Sequence, residues 1–280
     1  MTTSSIDAPI DAYGVVVGVD GSHSSRGALR WAADWAHTHD QQMQVIGAVE
    51  HGARRHTPAD LWQRMATVLE REVAQVSERY PLLRIDKLTA WGSPHRVLAE
   101  ASRNAWTVVV GSRGLHPTDE RVPRSVSCAA LGATYCPMIV VPTRTDHIIP
   151  GGPVVLGCDG SAPGLEATAF AFACASRLAV PLVVVQAPHA GVRPREGSLC
   201  ETLRGFQRVY PTVPVIPHPA GRSLTSALCA AADDATLIVV AGAWVDAGSV
   251  EGAAARQDLL HRARRPLAFV GAGAAGQSGS

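Results

Sequence analysis

The sequence predicts an α/β protein: two tandem copies of a doubly wound, open parallel sheet of five strands, with helices on both faces. The tandem arrangement is read from an internal repeat. VVVGVDGS at 15–22 returns as VVLGCDGS at 154–161, 139 residues on. VVV at 108–110 and PMIVV at 137–141 then return as IVV at 238–240 and PLAFV at 266–270, at offsets of 130 and 129. The order is kept while the second copy is about ten residues shorter, so a whole domain has been duplicated. The parallel sheet is read from short, almost continuously apolar runs alternating with longer amphipathic segments, the pattern of strands covered on both faces.

In the first copy the strands fall near 14–19, 43–49, 83–88, 107–111 and 138–141, with helices near 24–39, 58–79, 94–103 and 124–134. Leu29, Ala32, Ala33 and Ala36 recur at i, i+3, i+4 and i+7, the spacing of one buried helix face. In the second copy the strands fall near 153–158, 181–186, 213–218, 236–241 and 267–270. The chain divides into a flexible start (1–11), a first domain (12–142), a turn-rich linker (143–152), a second domain (153–271) and a Gly/Ala/Ser tail (272–280).

Each half of the 280 residues is long enough for its own core, and the 46% apolar content is that of a globular protein. With 25 basic and 24 acidic residues there is no basic field to hold nucleic acid or an anionic membrane. The first residues carry no signal-peptide pattern, and no apolar run reaches bilayer length. Cys128, Cys136, Cys158, Cys174, Cys200 and Cys229 stand singly and read as buried, reduced core residues. A soluble, cytoplasmic protein is expected.

Ligands of an open parallel sheet bind beyond the carboxyl ends of the strands where the strand order reverses. Asp20 stands at the end of the first strand and Asp159 at the matching place, each followed by Gly-Ser, with Ser22 placed to cap the next helix. Asp-Gly-Ser is also ordinary turn and cap chemistry. Gly111-Ser-Arg-Gly114 follows the fourth strand, and the segment 124–127 (RSVS) begins the next helix. Glycines past a strand and amides at a helix start suit a phosphate.

These segments, with Gly92-Ser-Pro94 and the run from Cys136 to Pro142, resemble the universal stress protein pattern across nearly all of the first half; a weaker set covers the second. Members of the ATP-binding branch carry G-x-x-G, nine residues, then G-[S/T]; here Gly111, Gly114 and Ser125 match. The resemblance implies that Asp20 meets the ribose and the Val49 backbone meets adenine. It implies that Gly111, Gly114, Ser125 and Ser127 hold the phosphates of ATP, with any Mg2+ carried on the nucleotide. It also implies that the two domains pack as a pseudo-dimer through their fifth strands. The family's glycine before Ser125 is Arg124 here, a side chain that either obstructs the phosphates or offers them a charged fork. In the second copy Gly111 and Gly114 fall on Ala241 and Trp244, so Asp159 and Ser161 survive without a phosphate loop. That domain is expected to be mainly structural.

Other chemistries lack their residues. Lys87 is the one lysine, which excludes a P-loop; G-x-G-x-x-G is absent after both first strands, and no G-x-S-x-G elbow occurs. His37 and His39 have no further ligands in pattern and read as exposed helix-end histidines, and His51 and His56 as a solvated loop. Cys158 takes the place of Val19 in the repeat and reads as core. No metal site of its own is expected. The leading expectation is a stress-response regulator that binds an adenine nucleotide in its first domain and acts on a protein partner, with further homo-oligomerisation left open. The alternatives are a slow ATPase, for which Asp119 and Glu120 are the nearest carboxylates, and a nucleotide-free scaffold.

Overall fold

The computed structural model describes residues 13–50, 57–113, 133–143, 145, 151–158, 164–186, 198–219, 224–241 and 250–271. The first half runs β1 (Tyr13–Gly18), α1 (His23–Thr38), β2 (Met43–Val49), α2 (Pro58–Arg79), β3 (Ile85–Trp91), α3 (Pro94–Ala101), β4 (Ala105–Gly111) and β5 (Met138–Val141). The second runs β6 (Val154–Cys158), α4 (Gly164–Leu178), β7 (Leu182–Gln186), α5 (Ser198–Val209), β8 (Val215–Pro219), α6 (Leu224–Ala231), β9 (Leu237–Ala241), α7 (Val250–Arg262) and β10 (Leu267–Val270). The helix expected at 124–134 falls outside the described residues as far as 132, as do His51, His56, Asp119, Glu120 and Cys128.

Within each half the strands are parallel, in the order β3-β2-β1-β4-β5 and its counterpart β8-β7-β6-β9-β10. The halves join into one ten-stranded sheet through β5 and β10, which pair antiparallel with Ala268 opposite Ile139. Each of these four-residue strands is buried throughout. An apolar edge left open would recruit other chains, and pairing the two removes both edges.

Both faces of the sheet are covered, which is why Val15, Val16 and Val17 are all fully buried although they alternate between faces. On one face Val15, Val17, Val109 and Ile139 pack with α1, α2 and α4. On the other, Val16, Val108 and Val140 pack with Leu98 of α3, Leu228 of α6 and Leu259 of α7. Each layer runs unbroken from one half into the other. The repeat extends to packing: a Cβ on Gly18 would lie 3.2 Å from Leu98, and one on Gly157 would lie 2.9 Å from Leu228.

Helix α1 starts where Ser22 Oγ accepts the Ser25 amide at 3.1 Å. Its predicted face is buried, and so are Trp31 and Trp35, whose rings stack with centroids 5.2 Å apart. Trp35 stacks towards Trp106, which meets Phe170 at 4.8 Å and lies under the Arg177 guanidinium at 5.0 Å. His37 is exposed, but the expectation for His39 needs correcting. Its ring is half-buried and stacks on Trp35 at 4.4 Å, with Nδ1 donating to the Trp35 carbonyl at 2.6 Å. Burial lowers its pKa, the Trp35 hydrogen bond opposes that, and nearby Arg177 lowers it further.

The cysteines also depart from a uniform core reading. Cys174 is buried, whereas Cys136 and Cys229 are only half-buried. Burial pushes the Cys136 thiol up to about 12. Strand β3 continues past its predicted end to Trp91, held by β2 residue for residue up to Val49, and stops at Gly92 with φ +136°. As the outer strand it exposes Asp86 and Lys87, which masked its later residues as strand in the sequence.

Candidate nucleotide site at the strand ends

The strand order reverses between β1 and β4: the chain leaves β1 towards β2, and leaves β4 towards β5. Beyond this point the backbone turns sharply at Asp20. The Asp20 carboxylate accepts the Ser22 amide at 2.9 Å, and Gly21 between them has φ +82°. A Cβ on Gly21 would also stand 3.2 Å from Val68 of α2, so the turn is confined from above.

The turn is tethered from beneath by a side chain that no motif singled out. Arg26 donates from Nε to the Ser22 carbonyl and from Nη2 to the Gly21 carbonyl, both at 3.3 Å. Its guanidinium is held 3.8 Å from the carboxylate of Glu72, which is 2% exposed and also receives Arg71 at 2.8 Å. Glu72 sits in the buried stripe of α2 with Leu69, Val73 and Val76. An acid at a position where helical periodicity demands an apolar residue was the signal that could have revealed it.

The segment after β4 reaches the same turn. Arg113 N–H donates to Ser24 Oγ at 3.1 Å, and Ser22 Oγ donates to the Arg113 carbonyl at 3.5 Å. Ser112 N–H donates to the Val141 carbonyl at 3.0 Å, while its hydroxyl meets that of Thr143 at 3.3 Å. Asp20, Ser22 and Gly111 are therefore brought together at one edge, 91 residues apart in the chain at the Ser22–Arg113 contact.

Gly111 has a packing reason of its own. A Cβ there would lie 2.5 Å from Ser24 Oγ and 2.6 Å from the Ser24 carbonyl carbon, so the close approach of α1 requires glycine. The amides of Ser112 and Arg113 are likewise used within the protein. The other residues expected to hold phosphates, Gly114, Arg124, Ser125 and Ser127, lie outside the described residues.

Val49 closes β2 at the same edge, buried, with its carbonyl accepting the Gly92 amide at 2.9 Å. Its register partner Trp91 meets Trp62 of α2 at 5.5 Å between ring centroids. In the second half β9 ends at Ala241 where β4 ends at Gly111, and Asp159, Ser161 and Trp244 lie outside the described residues. The Cys158 backbone pairs with Gln186 in β6–β7. Among the described residues no group of three or more His, Cys, Asp or Glu is placed to hold a metal ion, and no helix is long and apolar enough to cross a membrane.

Comparison with known proteins agrees with this arrangement. Residues 14–142 match the universal stress protein family. A universal stress protein of Mycolicibacterium smegmatis is 34% identical over 239 residues, covering 72% of this chain and 78% of the relative. Universal stress protein Rv2005c of Mycobacterium tuberculosis is 31% identical over 237 residues, covering 74% and 79%. Among solved structures, a universal stress protein from Archaeoglobus fulgidus superposes with a TM-score of 0.72 at 18% identity, covering 93% of this chain and 99% of that one. With its duplicated sheet, its reversal at Asp20 and relatives of this identity along most of their length, the chain belongs to the universal stress protein family.

Proposed function

We propose that the chain is a regulator whose first half, spanning 12–142, binds ATP or a related adenine nucleotide, while the second, 153–271, is mainly structural. The observation that carries this reading is the convergence of the Asp20–Ser22 turn with the Gly111–Arg113 segment at the sheet's reversal point. In this reading Asp20 meets the ribose and the end of β2 at Val49 meets the base. Gly114, Ser125 and Ser127 supply the phosphate donors, with Arg124 beside them. Mg2+ arrives with the nucleotide. Occupancy acts by favouring one of two states of the chain, which requires only that the nucleotide bind them unequally.

A nucleotide-free scaffold is the second reading. It is favoured by the internal use of the Ser112 and Arg113 amides and by the sheet shared between the halves. Mass spectrometry of the purified protein under native and then denaturing conditions decides between them. Released adenine nucleotide, or calorimetric heat with ATP, supports the regulator; neither at millimolar ATP supports the scaffold. Arg124→Gly then strengthens binding if the side chain obstructs, and weakens it if the guanidinium grips phosphate. An unchanged affinity would remove position 124 from the site.

A further inference from the structure

We propose that the indoles of Trp62 and Trp91 form the stacking wall for the nucleotide's base, an inference that rests on the nucleotide reading above and adds its specificity determinant. Trp91 is the last residue of β3 and the register partner of Val49, so both end at the same level of the carboxyl edge. The next amide, that of Gly92, is bonded to the Val49 carbonyl at 2.9 Å, which pins the two strand ends together. Trp62 stands over Trp91 from α2, centroids 5.5 Å apart and planes 31° apart.

Three further features make the pair part of the site. The start of α2 is rigid: Thr57 Oγ1 accepts the Asp60 amide at 3.2 Å, Asp60 returns the bond to the Thr57 amide at 3.1 Å, and Pro58 follows the cap. Trp62 is thereby fixed in the second turn of α2. From there the same helix runs down against the sheet, Met65 and Leu69 lying over Gly47 and Val68 over Gly21. The face carrying Trp62 is therefore continuous with the Asp20–Ser22 turn. Finally, Trp91 remains 38% exposed although it sits beside the core of the first half. A planar, partly open aromatic surface next to a strand-end cleft is what a nucleobase stacks on, and any base offers the π-face it needs.

The test is calorimetric titration of ATP into the full-length protein and into Trp62→Ala, Trp91→Ala and Trp91→Phe, together with acrylamide quenching of indole fluorescence with and without ATP. Each alanine variant is expected to weaken ATP binding about 5- to 150-fold, the range for losing one stacked base, while Trp91→Phe stays within about threefold. ATP should shield a quenchable component in the wild type that Trp91→Phe lacks. If the wild type binds ATP and the alanine variants match it, or if ATP leaves quenching unchanged, this inference falls alone. A wild type that binds no ATP overturns it together with the nucleotide reading. Should an alanine variant fail to fold, Trp91→Phe and the quenching result decide. A variant that changes only the oligomeric state assigns the indoles to assembly and refutes the base wall.

Discussion

Gly111→Ala separates a glycine kept for packing from one kept for a ligand. The added methyl would stand 2.5 Å from Ser24 Oγ and within 2.7 Å of the Ser24 carbonyl carbon and oxygen. Two of these three atoms are backbone in the first turn of α1, so rotating one side chain does not relieve the clash. Overpacking of this kind costs about 1–3 kcal/mol, and a blocked backbone places it towards the upper end. Moving α1 away also stretches the Arg113–Ser24 or the Ser22–Arg113 hydrogen bond, each contributing about 1 kcal/mol. A total near 3 kcal/mol lowers the folding equilibrium constant about 150-fold. Urea unfolding followed by far-UV circular dichroism measures it, with an unchanged m-value as the check that the unfolded state is unaltered. Gly21→Ala is the comparison: its strain comes from φ +82° and its nearest neighbour is a valine methyl at 3.2 Å, so it should cost less, about 1–2 kcal/mol. If Gly111→Ala stays within about 0.5 kcal/mol of wild type while ATP binding is lost, the packing explanation is refuted and the glycine serves the ligand.

Two other perturbations probe the surroundings. Glu72→Ala removes the buried anchor of Arg26 and Arg71 and should cost about 2 kcal/mol, held down because both arginines can still reach water; Glu72→Gln should cost less. Equal urea midpoints for Glu72→Ala and wild type would show that the tether carries no stability. The second perturbation is pH. His39 has its pKa lowered in the folded protein, so the unfolded chain takes up the proton first as pH falls through about 6.5. Its contribution to stability is complete above that pH and declines below it, with Arg177 on the opposing half adding to the penalty for a charged ring. Urea unfolding between pH 5 and 7.5 should therefore give a shallower loss for His39→Phe than for wild type. Coincident slopes would mean that the ring titrates alike in both states.

Much of the architecture was legible because its signals are local. The alternation of runs located the strands, and the apolar spacing of Leu29, Ala32, Ala33 and Ala36 identified the face of α1 that is buried. The repeat identified two copies of one sheet, and its matched strand ends at Gly111 and Ala241 hold in the structure. Asp20 and Ser22 could be placed because a strand end, a turn and a cap all depend on neighbouring residues. Strand β3 was read short because an outer strand exposes charge and loses the apolar continuity of its inner neighbours.

Other features exist only once distant segments touch. Sequence located Gly111 but not the Ser24 backbone against it, and it registered neither Arg26 nor Glu72, whose roles depend on α2 lying across the turn. His39 looked like an exposed helix end, yet its ring is half-buried against Trp35, and the charge of Arg177 in the other half helps to lower its pKa. Periodicity and capping act over a few residues and are written in the chain. Which atoms meet across 46 to 119 residues, as Tyr80 meets Asp34 and Thr145 meets the Arg264 carbonyl, is decided by how the helices and connections pack on the sheet and how the two halves join along it.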